Sequence, residues 1–364
     1  MAVILSARRT GIVPKGGVFA RLSLEDLAVP VLRACLVDAG VMAVDEVICA
    51  NAIGPGGNPA RRIALAAGLP ERVAGLTIDR QCAGGLDAVR LAAALVDGGH
   101  ADFILAGGVE SFSRRPLRFL TDPDGGPPTG YDEAPFTPWP ARNPRMAEAA
   151  AALAAACGYD RAAQEAWAVT SHAKALAAAD WPEIVPLAGV TRDVFGRRLT
   201  PALLARAPVV AGTVTRATAA VAADGAAFCL VAADRFAKPG ALPILGGRTL
   251  GADPEQPGLA PVPAIAAVLQ TLGLSVHNIA QSEVMEAYAA QAMACVARAG
   301  LDPSRVNCKG GALARGHPIG ASGAVLAVRL FHSLDQGVGL AAIASAGGLG
   351  TALVVQRWKA QPHS

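Results

Sequence analysis

The sequence has few aromatic side chains, few charges and no closely paired cysteines. Phe, Trp and Tyr make up 4% of the 364 residues, and Asp, Glu, Lys and Arg make up 17%. The net charge of +3 is spread along the chain, so the composition supports neither nucleic-acid binding nor attachment to a membrane surface. The seven cysteines are scattered without a C-x-x-C pair, which argues against a disulfide framework and against a structural zinc site.

Long apolar runs typical of membrane spans are also missing. The first residues, MAVILSARRT, are apolar for four residues after Met1, which is too short for a secretory signal. Residues 337–355 carry no charge, but their five glycines predict two buried strands around a turn instead of a membrane span. We therefore expect a soluble, cytoplasmic protein.

Apolar segments of two kinds alternate along the chain, and 52% of the residues are hydrophobic. Short runs predict buried strands at Glu46–Cys49, Phe103–Ala106, Phe228–Val231 and Ala341–Ala344. Longer Ala-rich stretches predict helices at Leu24–Ala39, Gly85–Leu95 and Ala264–Leu272. This alternation is typical of an α/β fold in which helices cover the faces of a sheet.

The composition divides the chain into three parts. Residues 116–144 are rich in Pro, Gly and Asp, and two predicted helices follow at Met146–Cys157 and Arg161–Ala178. A second Pro/Gly break lies at 238–243. We predict an N-terminal half (1–115 and 185–237), an inserted lobe (116–184) and a C-terminal half (238–364).

The two halves share a short pattern. The tetrapeptide AVRL at 88–91 recurs at 327–330, and the segments AGGV at 106–109 and AGGL at 346–349 follow at similar distances. The offsets are 239 and 240 residues, which suggests a duplicated α/β unit. Coincidence is the alternative, because Ala and Gly are so frequent in this chain.

Cys82 lies in the segment DRQCAGGL (79–86), directly before a predicted helix. The positive end of the helix dipole can lower the pKa of a thiol there, which would make it more nucleophilic. The glycines after it allow a substrate to approach the backbone closely. The alternative is a buried structural cysteine, which is how we interpret the other six.

His317 lies among five glycines in GGALARGHPIGASG (310–323). Pro318 restricts the backbone immediately after it, so the imidazole is presented by a rigid turn. A histidine in that setting can accept a proton from a thiol or donate a hydrogen bond to a carbonyl oxygen. The alternative is a histidine that only packs within the turn.

These segments together resemble the thiolases, and the resemblance extends over nearly the whole chain. The most specific match is 310–323, and the nucleophile loop at 82–86 (CAGGL) also agrees. Further matching segments are SARRT (6–10), NPAR (58–61), AGGVES (106–111), GTVT (212–215), DGAA (224–227) and EAYAAQ (286–291).

The resemblance implies a five-layered αβαβα thiolase fold built from two similar halves. It also implies that Cys82 takes the acyl group from a coenzyme A thioester and that His317 activates this cysteine and helps to hold a thioester oxygen. The oxyanion hole is expected from the backbone N–H groups of Cys82 and Ala346. Substrate contacts are expected at Arg197, Ala220, Gly347 and Gly348.

Three departures from the thiolase pattern affect the expected chemistry. The loop that carries a second catalytic cysteine in thiolases reads ASAGGLG (344–350) here, with Ala344 in place of the cysteine. Ser345 is adjacent, but its hydroxyl is a far weaker base than a thiolate. The N-E-A-F motif has Met285 in place of its asparagine, and the coenzyme A loop N-A-S-G reads TAAV (218–221).

Two classes of function follow. The first is an acyltransferase that uses Cys82 and His317, with coenzyme A thiolysis or carbon–carbon condensation, possibly non-standard, as the second half-reaction. The second is a degenerate thiolase-like protein that binds acyl-CoA or a lipid without efficient turnover. The resemblance also implies that acyl-CoA is the substrate, that no metal or cofactor is bound, and that the chain forms a homodimer or homotetramer. A partner subunit is a further option.

Overall fold

The computed structural model describes residues 1–178 and 180–357. Its strands are β1 (Ala2–Arg9), β2 (Val13–Pro14), β3 (Glu46–Ala50), β4 (Ala74–Ile78), β5 (Phe103–Ser111), β6 (Arg118–Leu120), β7 (Thr129–Tyr131), β8 (Val209–Ala211), β9 (Val214–Thr215), β10 (Ala223–Ala233), β11 (Leu242–Gly251), β12 (Ile279–Val284), β13 (Gly337–Ser345) and β14 (Leu349–Arg357). Its helices are α1 (Leu24–Ala39), α2 (Pro59–Ala66), α3 (Gly84–Asp97), α4 (Met146–Ala156), α5 (Arg161–Ala177), α6 (Pro201–Ala205), α7 (Pro261–Leu272), α8 (Ala289–Ala299), α9 (Ala312–Arg315) and α10 (Ile319–Ser333).

Most strands belong to one sheet with the order β4-β3-β5-β10-β1-β11-β14-β13-β12, and β2 pairs with β10. The two halves of this sheet join between β1 and β11, where only Val3 and Ile4 find partners across the junction. The central strand β10 is buried along its whole length, which explains its continuous apolar run without alternation.

Helices lie on both outer faces and between the two half-sheets. Helices α1 and α2 pack on the N-terminal half, and α7 and α8 lie on the outer side of the C-terminal half. Helices α3 and α10 pack against each other and contact strands of both halves. These five layers, α1/α2, half-sheet, α3/α10, half-sheet and α7/α8, confirm the predicted αβαβα fold.

The two halves also share one strand order, which supports the duplication. The series β4-β3-β5-β10-β1 corresponds to β12-β13-β14-β11 extended by a single parallel bridge between Ser282 and Val306. The predicted register is wrong, however. Residues 106–109 lie inside β5, whereas 346–349 form the turn between β13 and β14. Helices α3 and α10 begin 235 residues apart, and β5 and β13 begin 234 residues apart.

The inserted lobe contains the two predicted helices, and α4 and α5 each end one residue earlier than expected. The Pro-rich stretch before them carries the short hairpin of β6 and β7. The lobe folds back, since α4 and α5 both contact α8. The three-part division stays a prediction; Ala179 of the lobe and residues 358–364 of the C-terminal half lie outside the described residues. Among described residues, no helix has the length and apolarity needed to cross a bilayer.

Glycine allows the close approach of the two central helices. A Cβ atom on Gly323 would lie 2.4 Å from the backbone nitrogen of Leu86, and one on Gly85 would lie 2.6 Å from that of Ala324. Both obstacles are backbone atoms, which cannot rotate away. The contact between α3 and α10 therefore depends on the absence of side chains at these two positions.

We predict that Gly323→Ala lowers the free energy of unfolding by about 1–3 kcal/mol, because the added methyl group separates α3 from α10. Urea denaturation followed by far-UV circular dichroism measures this change. Gly251→Ala is the matched control, since no atom lies within 4 Å of its added Cβ; it should change stability by less than about 0.5 kcal/mol. Equal stabilities of the two variants would contradict the packing argument.

Candidate active site

Cys82 lies in a tight turn at the start of α3. Residues Gln81–Ala83 form a 3₁₀ turn that leads directly into the helix, and Gln81 has a positive φ of 47°. Such a backbone is unfavourable for glutamine. The carboxylate of Asp79 stabilises it by accepting hydrogen bonds from the backbone N–H of Gln81 (2.8 Å) and from its side-chain amide (3.0 Å). The turn holds the sulfur at the wall of a cavity.

His317 is presented by the loop between α9 and α10. Its backbone N–H donates to the carbonyl of Val221 (2.8 Å), which anchors the loop to the segment before β10. Gly316 before it has a φ of 107°, and a Cβ there would lie 2.9 Å from the Cβ of Ala223. A side chain at position 316 would therefore displace the histidine, which explains the glycine.

The imidazole of His317 joins the two halves of the site. Its Nε2 lies 3.1 Å from Sγ of Cys82, and its Nδ1 lies 2.6 Å from Oγ of Ser322. The Ser322 hydroxyl has one proton, which it donates to the carbonyl of Pro318 (3.1 Å). Nδ1 must then be the donor to Ser322, so Nε2 carries the lone pair that faces the thiol. The arrangement has the order of a nucleophile, a base and an orienting group.

Burial sets the charge state of this pair. It raises the pKa of the Cys82 thiol to about 12, although the backbone N–H groups of Cys82 and Ala346 act in the opposite direction. Burial and the positive charge of Arg315 lower the pKa of His317 to about 4. The expectation that the helix dipole lowers the thiol pKa is therefore wrong, because desolvation outweighs it. At neutral pH the resting pair is a thiol and a neutral imidazole.

Two buried carboxylates brace the loops of the site, and the sequence did not single out either one. Glu110 accepts hydrogen bonds from the side chain of Asn51 (2.7 Å) and from the backbone N–H groups of Ala52 (2.9 Å) and Gly320 (3.1 Å). It thereby ties the end of β3 to the start of α10. Burial raises the pKa of Glu110 to about 7 even though these N–H groups favour its charged form.

The second carboxylate, Glu286, lies at the back of the histidine loop. Its oxygens accept from the indole N–H of Trp167 (3.1 Å), the hydroxyl of Ser171 (2.7 Å), the amide of Asn307 (3.0 Å) and the backbone N–H of Leu313 (3.3 Å). These donors come from α5 and from the segment that precedes His317. Glu286 therefore holds the inserted lobe against the loop that carries the base.

Cys82 and His317 share one wall of a cavity of about 210 Å³. Small and apolar side chains dominate the remaining walls. They come from α4 of the inserted lobe, the 3₁₀ turn before α7 and the loops of both halves: Phe136, Met146, Ala149, Ala150, Leu153, Pro257, Gly258, Ala287 and Ile319. Polar side chains that the sequence did not indicate also line it, namely Glu133, Tyr288 and Gln291. Such a lining suits an apolar acyl group with few polar contacts.

Some of the predicted site residues meet at this cavity. Ala220, Ala344 and Ala346 line it together with Ser345. The Ser345 hydroxyl donates to the backbone carbonyl of Arg80 (3.0 Å), so it supports the nucleophile turn. The roles assigned to these residues stay predictions.

The other predicted residues lie elsewhere. Gly347 and Gly348, with φ values of 76° and 74°, form the turn between β13 and β14 beside the cavity. Met285 is fully buried in the core between the half-sheets and does not reach the cavity wall. Arg197 is exposed and packs over the ring of Phe195 at 4.4 Å, away from the cavity lining.

Comparisons with known proteins agree over the full length of the chain. A family model described as "Thiolase, N-terminal domain" matches residues 2–235, and one described as "Thiolase, C-terminal domain" matches residues 243–357. The Bacillus subtilis protein "Putative acetyl-CoA C-acetyltransferase YhfS" is 39% identical over 373 residues, covering 98% of this chain and 99% of that protein. VraB of Staphylococcus aureus (strain MRSA252), with the same description, is 34% identical over 387 residues at the same coverage.

Solved structures with the same fold include two with high similarity. The acetyl-CoA acetyltransferase of Bacillus anthracis superposes with a TM-score of 0.90 at 32% identity, covering 98% of both chains. Acat5 thiolase from Ascaris suum, solved in complex with coenzyme A, superposes with a TM-score of 0.89 at 29% identity, covering 98% of this chain and 99% of that one.

We predict that alkylation of Cys82 by iodoacetamide keeps accelerating from about pH 7 to about pH 10, without the plateau that a free thiol shows above its pKa of about 8.5. The raised pKa keeps the thiol protonated, so each unit of pH increases the thiolate fraction. Peptide mass spectrometry separates Cys82 from the exposed Cys308. A plateau already near neutral pH would reveal a preformed thiolate–imidazolium pair and contradict this charge assignment.

Proposed function

The chain belongs to the thiolase family and is an acyltransferase of that type, and on this premise we propose that it accepts an acyl group from an acyl-CoA thioester onto Cys82. One observation carries the proposal: Sγ of Cys82 lies 3.1 Å from Nε2 of His317 at the wall of a largely apolar cavity. A cysteine and a histidine that only packed together would not need a third residue that fixes the imidazole tautomer.

The first half-reaction follows from this geometry. Sγ of Cys82 attacks the thioester carbonyl carbon while Nε2 of His317 takes the thiol proton. The carbonyl oxygen becomes an oxyanion that accepts hydrogen bonds from the backbone N–H groups of Cys82 and Ala346, both directed toward the sulfur. The carbon–sulfur bond to coenzyme A then breaks, and the leaving thiolate takes the proton from His317. The products are an acyl-cysteine and free coenzyme A, and the site regains its neutral charge state.

The second half-reaction must proceed without a thiolate at position 344. Ala344 has no acid or base, and the hydroxyl of Ser345 is already used on the carbonyl of Arg80. Met285 adds no polar group to the cavity, since its side chain lies in the core. Abstraction of an α-proton from a second acyl-CoA would lose about 10²–10⁴ in rate without a positioned base. We therefore propose an acceptor that needs no such base: the thiol of coenzyme A, a carbanion formed by decarboxylation, or another nucleophile.

A second candidate function is binding of acyl-CoA or a lipid without efficient turnover. Ala344 and Met285 favour it, because a site that has lost its second base has lost part of its catalytic machinery. The oriented imidazole of His317 favours the enzyme, because binding alone requires neither an aligned base nor a nucleophile on a strained turn.

The test is intact-protein mass spectrometry after incubation with acetyl-CoA or with a longer saturated acyl-CoA. We expect one acyl adduct per chain, lost in Cys82→Ala and retained in Cys308→Ala, which removes the exposed thiol. The chain length that labels fastest identifies the preferred acyl group. An adduct that persists in Cys82→Ala would overturn the assignment of the nucleophile. Coenzyme A binding with no adduct from either thioester would support the binding protein.

The remaining expectations from the resemblance belong to the same proposal. The Acat5 thiolase complex shows that a protein of this fold binds coenzyme A, and we propose coenzyme A thioesters as substrates here, with no bound cofactor. Assembly as a homodimer or homotetramer, and location in the cytoplasm, also stay proposals. Sedimentation and cell fractionation address them directly.

A further inference from the structure

A second cavity, of about 190 Å³, lies beneath the loop that precedes His317 and shares no lining residue with the Cys82 cavity. Four cationic side chains line it: Arg192, Lys309, Arg315 and Arg329. Asp193 is the one carboxylate among its lining residues. Arg192 is exposed and Lys309 is half-buried, so both lie where the cavity meets solvent, whereas Arg315 and Arg329 lie within.

The carboxylates near this cavity are already committed to guanidinium groups. Asp193 accepts from Arg9 at 2.7 and 3.1 Å, and Glu183 accepts from Arg9 at 3.1 Å. Glu283 accepts from Nε of Arg329 at 3.1 Å. Among the described residues, Arg192, Lys309 and Arg315 form no ion pair. The lining thus presents positive charge that these carboxylates do not neutralise.

The two inner arginines have unused hydrogen-bond donors. Arg329 is 2% exposed, and its Nη1 and Nη2 have no hydrogen-bond partner among the described residues; Nη1 lies 3.8 Å from Glu183, beyond hydrogen-bond reach. Arg315 is 4% exposed and donates one hydrogen bond, from Nη1 to the carbonyl of Gly310 (3.2 Å). A guanidinium has five N–H donors, and burying them unpaired costs free energy.

We propose that this cavity is an oxyanion site that binds phosphate, free or as part of a larger ligand, between Arg315, Arg329 and Lys309. A tetrahedral oxyanion supplies the several acceptor lone pairs that the two guanidinium groups lack, and arginine presents its donors in a fork that matches such an anion. The cavity volume far exceeds the ~30 Å³ share of a single water molecule. Arg192 and Lys309 at the entrance attract the anion from solvent.

The electrostatics of the empty cavity agree with this assignment. Burial and the like charge of Arg329 lower the pKa of Arg315 to about 10. The charged form of Arg315 is therefore disfavoured in the folded chain, and a bound anion would offset that cost. The same reasoning predicts that removing the charge from Arg315 does not destabilise the anion-free protein.

The test is isothermal titration calorimetry with inorganic phosphate at constant ionic strength, adjusted with sodium chloride. We expect saturable binding of one phosphate per chain, weakened about tenfold or more in Arg315→Met and measurably in Lys309→Gln. Arg72→Gln, which removes an exposed arginine outside the cavity, is the matched control and should bind as the unaltered protein does. No saturable heat, or equal affinity in Arg315→Met, would overturn the proposal.

Two further measurements keep the result decisive. Thermal unfolding without phosphate should show Arg315→Met at least as stable as the unaltered protein, and phosphate should raise the unfolding temperature only where Arg315 is present. Should Arg315→Met fail to fold, Lys309→Gln at the entrance decides. Titration with coenzyme A present separates the sources: unchanged affinity indicates a free phosphate ion, and competition that requires Arg315 indicates a phosphate of the cosubstrate. Competition independent of Arg315 would place the phosphate elsewhere and overturn the proposal.

Discussion

The 3.1 Å contact between Cys82 and His317 depends on how closely α3 and α10 pack. Each residue lies just before the first turn of one of these helices, and each helix belongs to a different half of the chain. Gly85 and Gly323 leave no side chain between the two backbones. Any increase in the separation of the helices would move the nucleophile away from its base, so the packing of the central layer and the chemistry of the site are one constraint.

Buried polar groups then convert this packing into a defined orientation. Glu110 connects the end of β3 to the start of α10, and Glu286 connects the inserted lobe to the loop before His317. Ser322 fixes the tautomer of the imidazole. Burying carboxylates is costly unless their oxygens are bonded, and here each accepts three or more hydrogen bonds from rigid donors. The cost of desolvation is thus met by contacts that also position the reacting groups.

Local sequence patterns predicted the elements that depend on local physics. Uncharged runs marked β13 and β14, and the glycines between them marked the turn at 347–348. The spacing of apolar residues marked α1 with its observed bounds. Cys82 and His317 stood out because glycine-rich segments surround them, and both now lie at one cavity.

The features that the sequence missed arise from contacts between distant segments. The pKa of Cys82 depends on how deeply the fold buries the thiol, which no local pattern reports, so the helix dipole alone led to the wrong direction. Glu110 meets its partners only after β3, β5 and α10 come together. The repeat was assigned a register of 239–240 residues because frequent Ala and Gly matched by composition, whereas the helices and strands repeat at 234–235.

The central claim is that a neutral thiol, deprotonated by His317 during attack, becomes acylated and releases coenzyme A. Stopped-flow detection of free coenzyme A after mixing with an acyl-CoA tests it most directly. The account predicts a rapid burst of about one equivalent per chain, absent in Cys82→Ala and strongly slowed in His317→Asn, where the amide cannot accept the proton. A burst of unchanged rate in His317→Asn, or release with no dependence on Cys82, would contradict it.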